Sequence, residues 1–281
     1  MGPCCDLHTH STHSDGTCTP AEIIKEAKAI GLAAVALTDH NTVSGLPDFL
    51  SAARGSGVQA VSGVEISAMY EETELHILGL FLPPDCFPAV ADYLDTFNRK
   101  KEESNRILIR NLSRAGYVLD YDAIRLSHPE GTPNRAVIAA ALLEQGYVDS
   151  VGDAFQQLLA KKAGYYIPPE RPDATDAIRF LRSLGAVPVL AHPFLNLKTE
   201  SALRGFLTLA VPRGLAALET LYPSFTPEQT LLAQTAARDF GLKQSGGSDF
   251  HGDIKPHIRL GTGKGNLAVP ASFVRDLQRC I

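Results

Sequence analysis

The start of the chain places two histidines at a spacing that suits metal binding. His8 and His10 are two residues apart, and on a β-strand this spacing puts both imidazoles on one face. Two imidazoles at the end of a strand form half of a typical metal site. Asp15 follows in the sequence Ser14-Asp15-Gly16 and adds a carboxylate. Each residue alone is equally compatible with a structural role, so the interpretation depends on whether such residues recur.

Histidines and carboxylates do recur beside the predicted strands, mostly after their carboxyl ends. With the first group, the candidate ligands are His8, His10, Asp15, His40, Glu65, His76, His192, Asp249 and His251. Any one of them could instead cap a helix or make an ordinary hydrogen bond. Nitrogen and carboxylate ligands together suit Zn, Mn or Fe. The candidates outnumber the four ligands of one tetrahedral zinc, so the sequence predicts two or three ions that share a bridging carboxylate.

Alternating strands and helices are predicted to position these residues. Thr19 is a predicted N-cap, followed by Pro20 and by Glu22 as the partner of a capping box. Residues 32–37 are almost purely apolar, which is typical of a strand buried on both faces. Because a closed barrel brings the carboxyl ends of all its strands to one rim, we predict an irregular (β/α) barrel. His76 lies near the start of its strand, which an antiparallel segment would explain.

A long helical block interrupts this alternation. Helices are predicted from about residue 88 to 114, over 134–145 and over 151–161, and Pro129 and Gly131 break the block between them. We therefore predict three segments. Residues 1–97 form the first part of the barrel, 98–167 an inserted helical cap domain, and 168–281 the second part of the barrel.

Composition limits the class of protein. The chain has 281 residues, of which 44% are hydrophobic, and a formal net charge of −5. Without a block of lysines and arginines, sequence-independent binding to long nucleic acid is not favoured. The five cysteines have no C-x-x-C spacing, which favours reduced thiols. We find no signal peptide and no membrane span, and expect a cytoplasmic protein without an obligate protein partner.

The motifs together resemble the PHP (polymerase and histidinol phosphatase) family, in particular its small bacterial phosphoesterase branch. They are His8-x-His10, Asp15-Gly16, Thr38-Asp39-His40-Asn41, Gly63-Val64-Glu65-Ile66-Ser67, His76, Ala191-His192-Pro193 and Gly247-Ser248-Asp249-x-His251. The resemblance spans nearly the whole chain. It implies a distorted seven-stranded (β/α) barrel with a trinuclear metal centre.

The resemblance also implies how the ligands are shared. One metal would take His8, His10, Glu65 and Asp249, a second Glu65, His76 and His192, and a third Asp15, His40 and His251. Some relatives have His at the position of Asp15, and Asn41 stands where Asp is frequent, so Asn41 receives no metal role. Asp39 either orients a histidine ligand or caps a helix. His13, His128 and His257 match no metal motif.

The implied activity is hydrolysis of phosphate monoesters by a metal-bound hydroxide. The expected substrates are small nucleotides, namely 3′,5′-bisphosphonucleosides or nucleoside monophosphates. The candidate phosphate-binding residues are Arg135, at a predicted helix N-terminus of the insertion, Lys162, and Arg171 as a further candidate just after the insertion. The alternatives are a 5′→3′ exoribonuclease on short RNA and a histidinol or cyclic sugar phosphate hydrolase. Two hypotheses from other classes are a non-catalytic binding module and an amidohydrolase. The sequence has no lysine at a matching strand end, which counts against an amidohydrolase.

Overall fold

A computed structural model describes residues 2–127 and 132–281 of the chain. It divides into two compact units. The first unit combines the residues up to Ala91 with Pro172–Ile281, and the second unit is Asp92–Arg171. The predicted insertion, residues 98–167, falls within the second unit, and its role as a cap stays a prediction. His128, Pro129 and Gly131 lie outside the described residues.

The first unit is built on an eight-stranded sheet with the order β7-β6-β5-β4-β3-β2-β1-β8. The strands are β1 Cys4–Asp6, β2 Ala34–Leu37, β3 Gln59–Tyr70, β4 Thr73–Leu80, β5 Val187–Leu190, β6 Ala217–Leu221, β7 Lys243–Gly246 and β8 Val269–Pro270. Beyond the ends of β1 and β7, the Asp249 N–H donates to the His8 carbonyl and the His10 N–H to the Phe250 carbonyl, both at 2.9 Å. These bonds bring the two sides of the sheet together into a nearly closed barrel, so the predicted distorted barrel is confirmed. The two-residue β8, antiparallel to β1, is too short to leave a sequence pattern.

Helices connect most of the strands of this unit. They are α1 Pro20–Ala29, α2 Leu46–Ala53, α7 Ala174–Ser183, α8 Pro193–Asn196, α9 Glu200–Ala210, α10 Pro227–Asp239 and α11 Ser272–Gln278, and α3 Phe87–Arg114 crosses the unit boundary. The predicted capping box is confirmed, because the Thr19 side chain accepts from the Glu22 N–H and the Glu22 carboxylate accepts from the Thr19 N–H. Gly31 follows α1 with φ +76°, a conformation that glycine adopts without strain.

The core of this unit fills the inside of the barrel. All four residues of β2 are buried, as predicted for a strand covered on both faces. Ala36 packs with Val61, Leu78 and Val189 in one apolar cluster. Such packing fixes the strands relative to one another, and so fixes the side chains that follow them.

Strands β3 and β4 depart from the predicted pattern. The sequence predicts a strand over 58–61 and a separate segment after Gly63, whereas β3 is one strand of twelve residues. Gly63 marks close packing there, because a Cβ at this position would lie 2.9 Å from Thr38 Cγ2 and 3.0 Å from the Leu37 carbonyl oxygen. β4 is antiparallel to both β3 and β5, which confirms the reversed segment inferred from His76.

The regular structure of the second unit is helical, with no strand among its described residues. Besides most of α3, it contains α4 Tyr121–Ser127, α5 Arg135–Glu144 and α6 Val151–Ala154, followed by a π-helical segment Phe155–Leu159. Leu108, Leu112, Ile138 and Leu142 belong to its own apolar core. The sequence misses α4 because only Tyr121 of that helix is buried, which leaves no apolar periodicity to detect. Within the described residues, no helix is long and apolar enough to cross a membrane.

Candidate metal centre

All nine candidate ligands meet at one rim of the barrel. They form four overlapping groups whose possible ligand atoms lie within 4.8 Å of one another. The groups are His10 with Asp15, His40 and His251; His8 with His10 and Asp249; His8 with Glu65 and His192; and His40 with Glu65 and His76. The structure therefore brings together residues from His8 near the start of the chain to His251 near its end.

Glu65 is at the centre of these groups. Its side chain is fully buried, and five imidazole nitrogens face its two oxygens. They are His40 Nδ1 at 3.0 Å, His8 Nε2 and His10 Nε2 at 3.2 Å, His76 Nδ1 at 2.8 Å and His192 Nε2 at 3.1 Å. Burial opposes ionisation, but the neighbouring histidines hold the pKa of Glu65 well below its usual value. A carboxylate with this many nitrogen neighbours has the arrangement of a bridging ligand.

The position of Glu65 corrects one expectation from the sequence. It was expected after a strand end, but it lies in the middle of β3. Its backbone is aligned with the residues after β2, since the Glu65 N–H donates to the Asp39 carbonyl and the Asn41 N–H to the Glu65 carbonyl. β3 simply continues past the rim as a hairpin with β4. His76 reaches the same level because β4 runs in the opposite direction and pairs His76 with Ser67.

Asp15, His40 and His251 form another part of the cluster, in which Asp15 and His40 are partly exposed and His251 is buried. His251 Nε2 lies 3.4 Å from Asp15 Oδ1, and His10 Nδ1 lies 3.8 Å from the same oxygen. Burial lowers the pKa of His40 to about 3, which keeps its imidazole neutral. Although burial acts in the opposite direction, the electrostatic influence of the neighbouring His251 and His40 rings holds the pKa of Asp15 well below its usual value. A neutral imidazole beside an ionised carboxylate is the state in which both can bind a cation.

Asp249 joins the open and buried parts of the cluster. Its Oδ1 lies 3.2 Å from His10 Nε2 and 3.6 Å from His8 Nε2. Its Oδ2 accepts hydrogen bonds from the Tyr222 hydroxyl at 2.8 Å and from Lys255 Nζ at 2.7 Å. Its backbone has φ +55°. Two residues earlier, a Cβ at Gly247 would lie 2.4 Å from His8 Cβ. The loop after β7 can approach His8 so closely only because residue 247 has no side chain.

Asp39 has a different role from the two that the sequence suggested. Its carboxylate accepts from the Ser11 N–H and hydroxyl, both at 2.7 Å, and from the Ser14 hydroxyl at 2.6 Å. It does not cap α2, which begins after Gly45 without a side-chain cap. Asp39 thus fixes the loop that presents Asp15. Asn41 binds the Ser67 backbone and hydroxyl, consistent with the absence of a metal role.

Two buried carboxylates that support the cluster were missed. Glu219 receives no role from the sequence, but it lies within β6, is fully buried and has Oε1 3.2 Å from His8 Nδ1. Asp6 accepts from the Ser248 N–H at 2.9 Å and from the Gly261 N–H at 2.7 Å, which anchors the loop before Asp249. One acidic residue within a predicted buried strand was the signal that could have revealed each of them. A carboxylate is rarely buried without a partner, so such a residue indicates a structural or functional contact.

The donor atoms of the cluster fit divalent metal ions. Among the described residues, several of its buried nitrogen and oxygen atoms have no hydrogen-bond partner of good geometry. They are His8 Nε2, both ring nitrogens of His10, His40 Nδ1, Glu65 Oε2 and His192 Nδ1. Buried polar atoms are almost always paired, so a concentration of unpaired ones calls for a further binding partner. Imidazole nitrogens mixed with carboxylate oxygens suit Zn, Mn or Fe.

Comparison with known families identifies a domain family for this chain. The profile of the PHP domain matches residues 6–181. The chain belongs to the PHP domain family. The membership inferred from the spaced motifs is thereby confirmed.

Three relatives cover most of the chain. The chain is 30% identical over 246 residues to a 5′-3′ exoribonuclease of Haemophilus influenzae, covering 88% of this chain and 89% of the relative. It is 30% identical to a 3′,5′-nucleoside bisphosphate phosphatase of Chromobacterium violaceum, covering 88% and 86%. It is also 30% identical to a phosphoribosyl 1,2-cyclic phosphate 1,2-diphosphodiesterase of Eggerthella lenta, covering 90% and 97%. All three are enzymes that act on phosphate esters, which agrees with the predicted enzyme class.

Two solved structures resemble the whole PHP chain. A protein of Bifidobacterium adolescentis assigned as a metal-dependent phosphoesterase superposes with a TM-score of 0.86 at 27% identity, covering 100% of this chain and 97% of its own. A Chromobacterium violaceum protein named an amidohydrolase, solved with bound sulfate and no metal, gives 0.85 at 27%, covering 98% and 96%. The first supports the phosphoesterase class, and both support the fold.

A cavity opens on the PHP cluster. Its volume is about 300 Å³, at the small end of the range of ligand pockets. Its lining residues are His40, Glu74, His76, His192, Leu195, Asn196, Tyr222, Asp249 and Lys255. Lys255 brings a positive charge to a wall otherwise made of candidate ligands and neutral groups, apart from Glu74. Lys255 could not be recognised from the sequence, because a single lysine after the last motif forms no pattern.

The three predicted phosphate-binding residues lie in the second unit. Arg135 is the first residue of α5, and its guanidinium lies 4.3 Å from the centre of the Tyr166 ring and donates to the Leu159 carbonyl. Lys162 is exposed on a short 3₁₀ turn, and Arg171 is half-buried at the unit boundary. Their role in binding stays a prediction.

Proposed function

We propose that this PHP protein is a metal-dependent phosphoesterase that hydrolyses phosphate monoesters of small nucleotides. The single observation that carries the proposal is the buried Glu65, whose two oxygens face five imidazole nitrogens at 2.8–3.2 Å. Asp15 and Asp249 complete the negative charge of the cluster. Such a concentration of ligands is far more than hydrogen bonding within a barrel requires.

We assign the ligands in three sets. His8, His10, Glu65 and Asp249 would hold one ion; Glu65, His76 and His192 a second; Asp15, His40 and His251 a third. In support, one group of close ligand atoms contains Asp15, His40 and His251, and another contains His8, His10 and Asp249. His76 and His192 belong to two different groups, both of which contain Glu65. Two or three Mn, Fe or Zn ions bound there would neutralise phosphate charge and lower the pKa of a water molecule.

The protein itself would bind the phosphate through the cavity beside the cluster. Lys255 Nζ lies 2.7 Å from Asp249 Oδ2, so its ammonium group is next to the ligands and reaches the cavity. A phosphate oxygen there would make a charge-assisted hydrogen bond with it. Tyr222 would keep Asp249 oriented, because burial and the charge of Asp249 raise the pKa of Tyr222 and keep its hydroxyl a donor.

A nucleotide carrying a terminal phosphate is the substrate class that we favour, either a 3′,5′-bisphosphonucleoside or a nucleoside monophosphate. A cavity of about 300 Å³ and a net charge of −5 suit a small ester better than a long RNA. The bisphosphate phosphatase of C. violaceum is a relative with such a substrate in its name. Arg135, Lys162 and Arg171 are proposed to bind a further phosphate.

A 5′→3′ exoribonuclease is the second candidate, because the H. influenzae relative carries that name at the same identity. Hydrolysis of a cyclic sugar phosphate is a third, supported by the relative of E. lenta. Sequence identity alone does not separate these activities, so a direct comparison of substrates is needed.

The test is a panel of phosphate esters given to protein reconstituted with Mn²⁺, with His8→Ala as the control. The panel holds AMP, 3′,5′-bisphosphoadenosine, histidinol phosphate, a cyclic ribose phosphate and 5′-phosphorylated oligoribonucleotides. We expect the highest kcat/KM for the bisphosphate or AMP, and none of this activity in His8→Ala. Preference for the oligonucleotide would establish the exoribonuclease instead, and failure to hydrolyse any member would disprove a phosphoesterase.

A further inference from the structure

Glu219 is a fully buried carboxylate that contacts two of the proposed ligands without facing the cavity. Its Oε1 lies 3.2 Å from His8 Nδ1, and its Oε2 accepts a hydrogen bond from the His192 N–H at 2.6 Å. A buried carboxylate costs several kcal/mol unless donors satisfy its oxygens. Here both oxygens have such a partner, and both partners belong to the cluster.

The contact with His8 selects one form of its imidazole. A carboxylate only accepts hydrogen bonds, so the His8 nitrogen that faces Glu219 must be the one that carries hydrogen. His8 Nδ1 is that nitrogen. His8 Nε2, which lies 3.2 Å from Glu65 Oε2, is then left with its lone pair for a metal ion.

The contact with His192 holds a strained backbone. His192 has φ +24° and ψ +58°, and it precedes Pro193. A non-glycine residue at positive φ costs free energy, and a following proline further disfavours helical backbone angles. The hydrogen bond to Glu219 offsets part of this cost. In this conformation His192 Nε2 lies 3.1 Å from Glu65 Oε1.

We infer that Glu219 is a positioning residue that prepares two metal ligands at once. It sets the tautomer of His8 and the backbone of His192, which together with Glu65 form one of the four groups of close ligand atoms. The inference rests on the proposed metal centre and goes beyond it, since Glu219 itself would bind no ion.

The test variant is Glu219→Gln, which keeps the shape of the side chain. Its amide has one oxygen acceptor and one NH₂ donor, whereas Glu219 accepts from both partners. If the amide oxygen keeps the His192 N–H, the NH₂ group faces His8 Nδ1 and favours hydrogen on Nε2, which then cannot bind a metal. If the amide turns around, the His192 backbone loses its acceptor.

The matched control is Thr220→Val, the next residue of the same strand. Thr220 is buried and its hydroxyl donates to Gln244 at 2.9 Å, so the control also loses a buried hydrogen bond but touches no candidate ligand. Zn²⁺ affinity and the number of ions per chain are measured by calorimetry and metal analysis. Thermal melting in EDTA reports the fold without metal.

We expect Glu219→Gln to weaken one class of sites by about 10–100-fold and to leave the others, while Thr220→Val binds like the wild type. Equal Zn²⁺ binding by Glu219→Gln and the wild type would overturn the inference, and so would an equal loss in Thr220→Val. A wild-type protein that binds no divalent ion would instead overturn the proposed function.

A measurement on the wild type covers the case in which Glu219→Gln does not fold. In Zn²⁺-loaded protein, ¹⁵N NMR of His8 separates a nitrogen bound to metal from one bound to hydrogen. We expect hydrogen on Nδ1 and metal on Nε2. The reverse assignment would overturn the inference whatever the variant does.

Discussion

The two sides of the proposed metal centre are built differently. The buried side, defined by His8, His192 and Glu219, has side chains that are at most 5% exposed. The open side, defined by Asp15, His40 and His76, has side chains that are 11–19% exposed. Glu65 lies between them and contacts histidines of both. The buried side is therefore organised before a ligand arrives, while the open side contributes the more solvent-accessible ligands.

Support for the histidines differs in the same way. On the buried side, one carboxylate holds His8 and His192 together. On the open side, His76 Nε2 faces the half-exposed Glu74 at 3.3 Å, which lines the cavity. Rigid support and access to solvent compete, because a group shielded on all sides cannot also meet the substrate. The centre separates these two needs between its sides.

The variant with the largest expected effect is Glu65→Gln, which removes the one ligand common to both sides. Metal ions contribute several kcal/mol to such reactions, so we expect kcat/KM to fall by about 10³-fold or more. Metal analysis should show ions lost from both sides. Glu72→Gln is the control, since it changes an exposed carboxylate in the turn between β3 and β4 that belongs neither to the proposed ligands nor to the cavity wall. Retention of full metal content in Glu65→Gln would contradict the bridging role.

Asp15→Asn tests whether the sides are independent. It removes a charge from the open side only, so we expect a loss of about one ion per chain and partial recovery of activity at high Mn²⁺. Glu219→Gln should instead affect the sites of the buried side. If Asp15→Asn emptied the buried side as well, the division into two sides would be wrong.

Lys255→Met has a smaller expected effect because it changes the cavity wall and no ligand. A hydrogen bond to a charged group is worth about 1.5–3 kcal/mol, so KM should rise by about 10-fold or more while kcat changes less. Lys243→Met, an exposed lysine at the start of β7, should have no effect. An unchanged KM in Lys255→Met would exclude Lys255 from phosphate binding.

The smallest effects are expected in the second unit, which contributes none of the proposed metal ligands. Arg135→Met should leave metal content unchanged and reduce the preference for 3′,5′-bisphosphoadenosine over AMP by about 10-fold, the value of one charge-assisted contact. Lys162→Met should act in the same direction but less, with Lys161→Met as its exposed neighbour control. Loss of metal in either variant would show that the second unit supports the centre.

Local sequence was enough to identify the candidate ligands that the structure brings together. Histidines and carboxylates next to apolar strands stand out, because such residues are rarely buried without a function or a partner. The capping box at Thr19 and the reversed strand at His76 were also predictable, since each depends on residues close together in the chain. The PHP family and the barrel followed from these local motifs.

The tertiary structure decided how the ligands are held. Glu65 lies in mid-strand because β3 continues past the rim, which depends on its pairing with β4 and not on its own sequence. Glu219 meets His8 from 211 residues away, and Asp39 meets Ser11 across a loop. Local patterns of polarity indicate which residues are candidate ligands. The hydrogen bonds that hold each candidate ligand in place depend on the register of strands far apart in the chain. That register is fixed only when the barrel closes and its core packs.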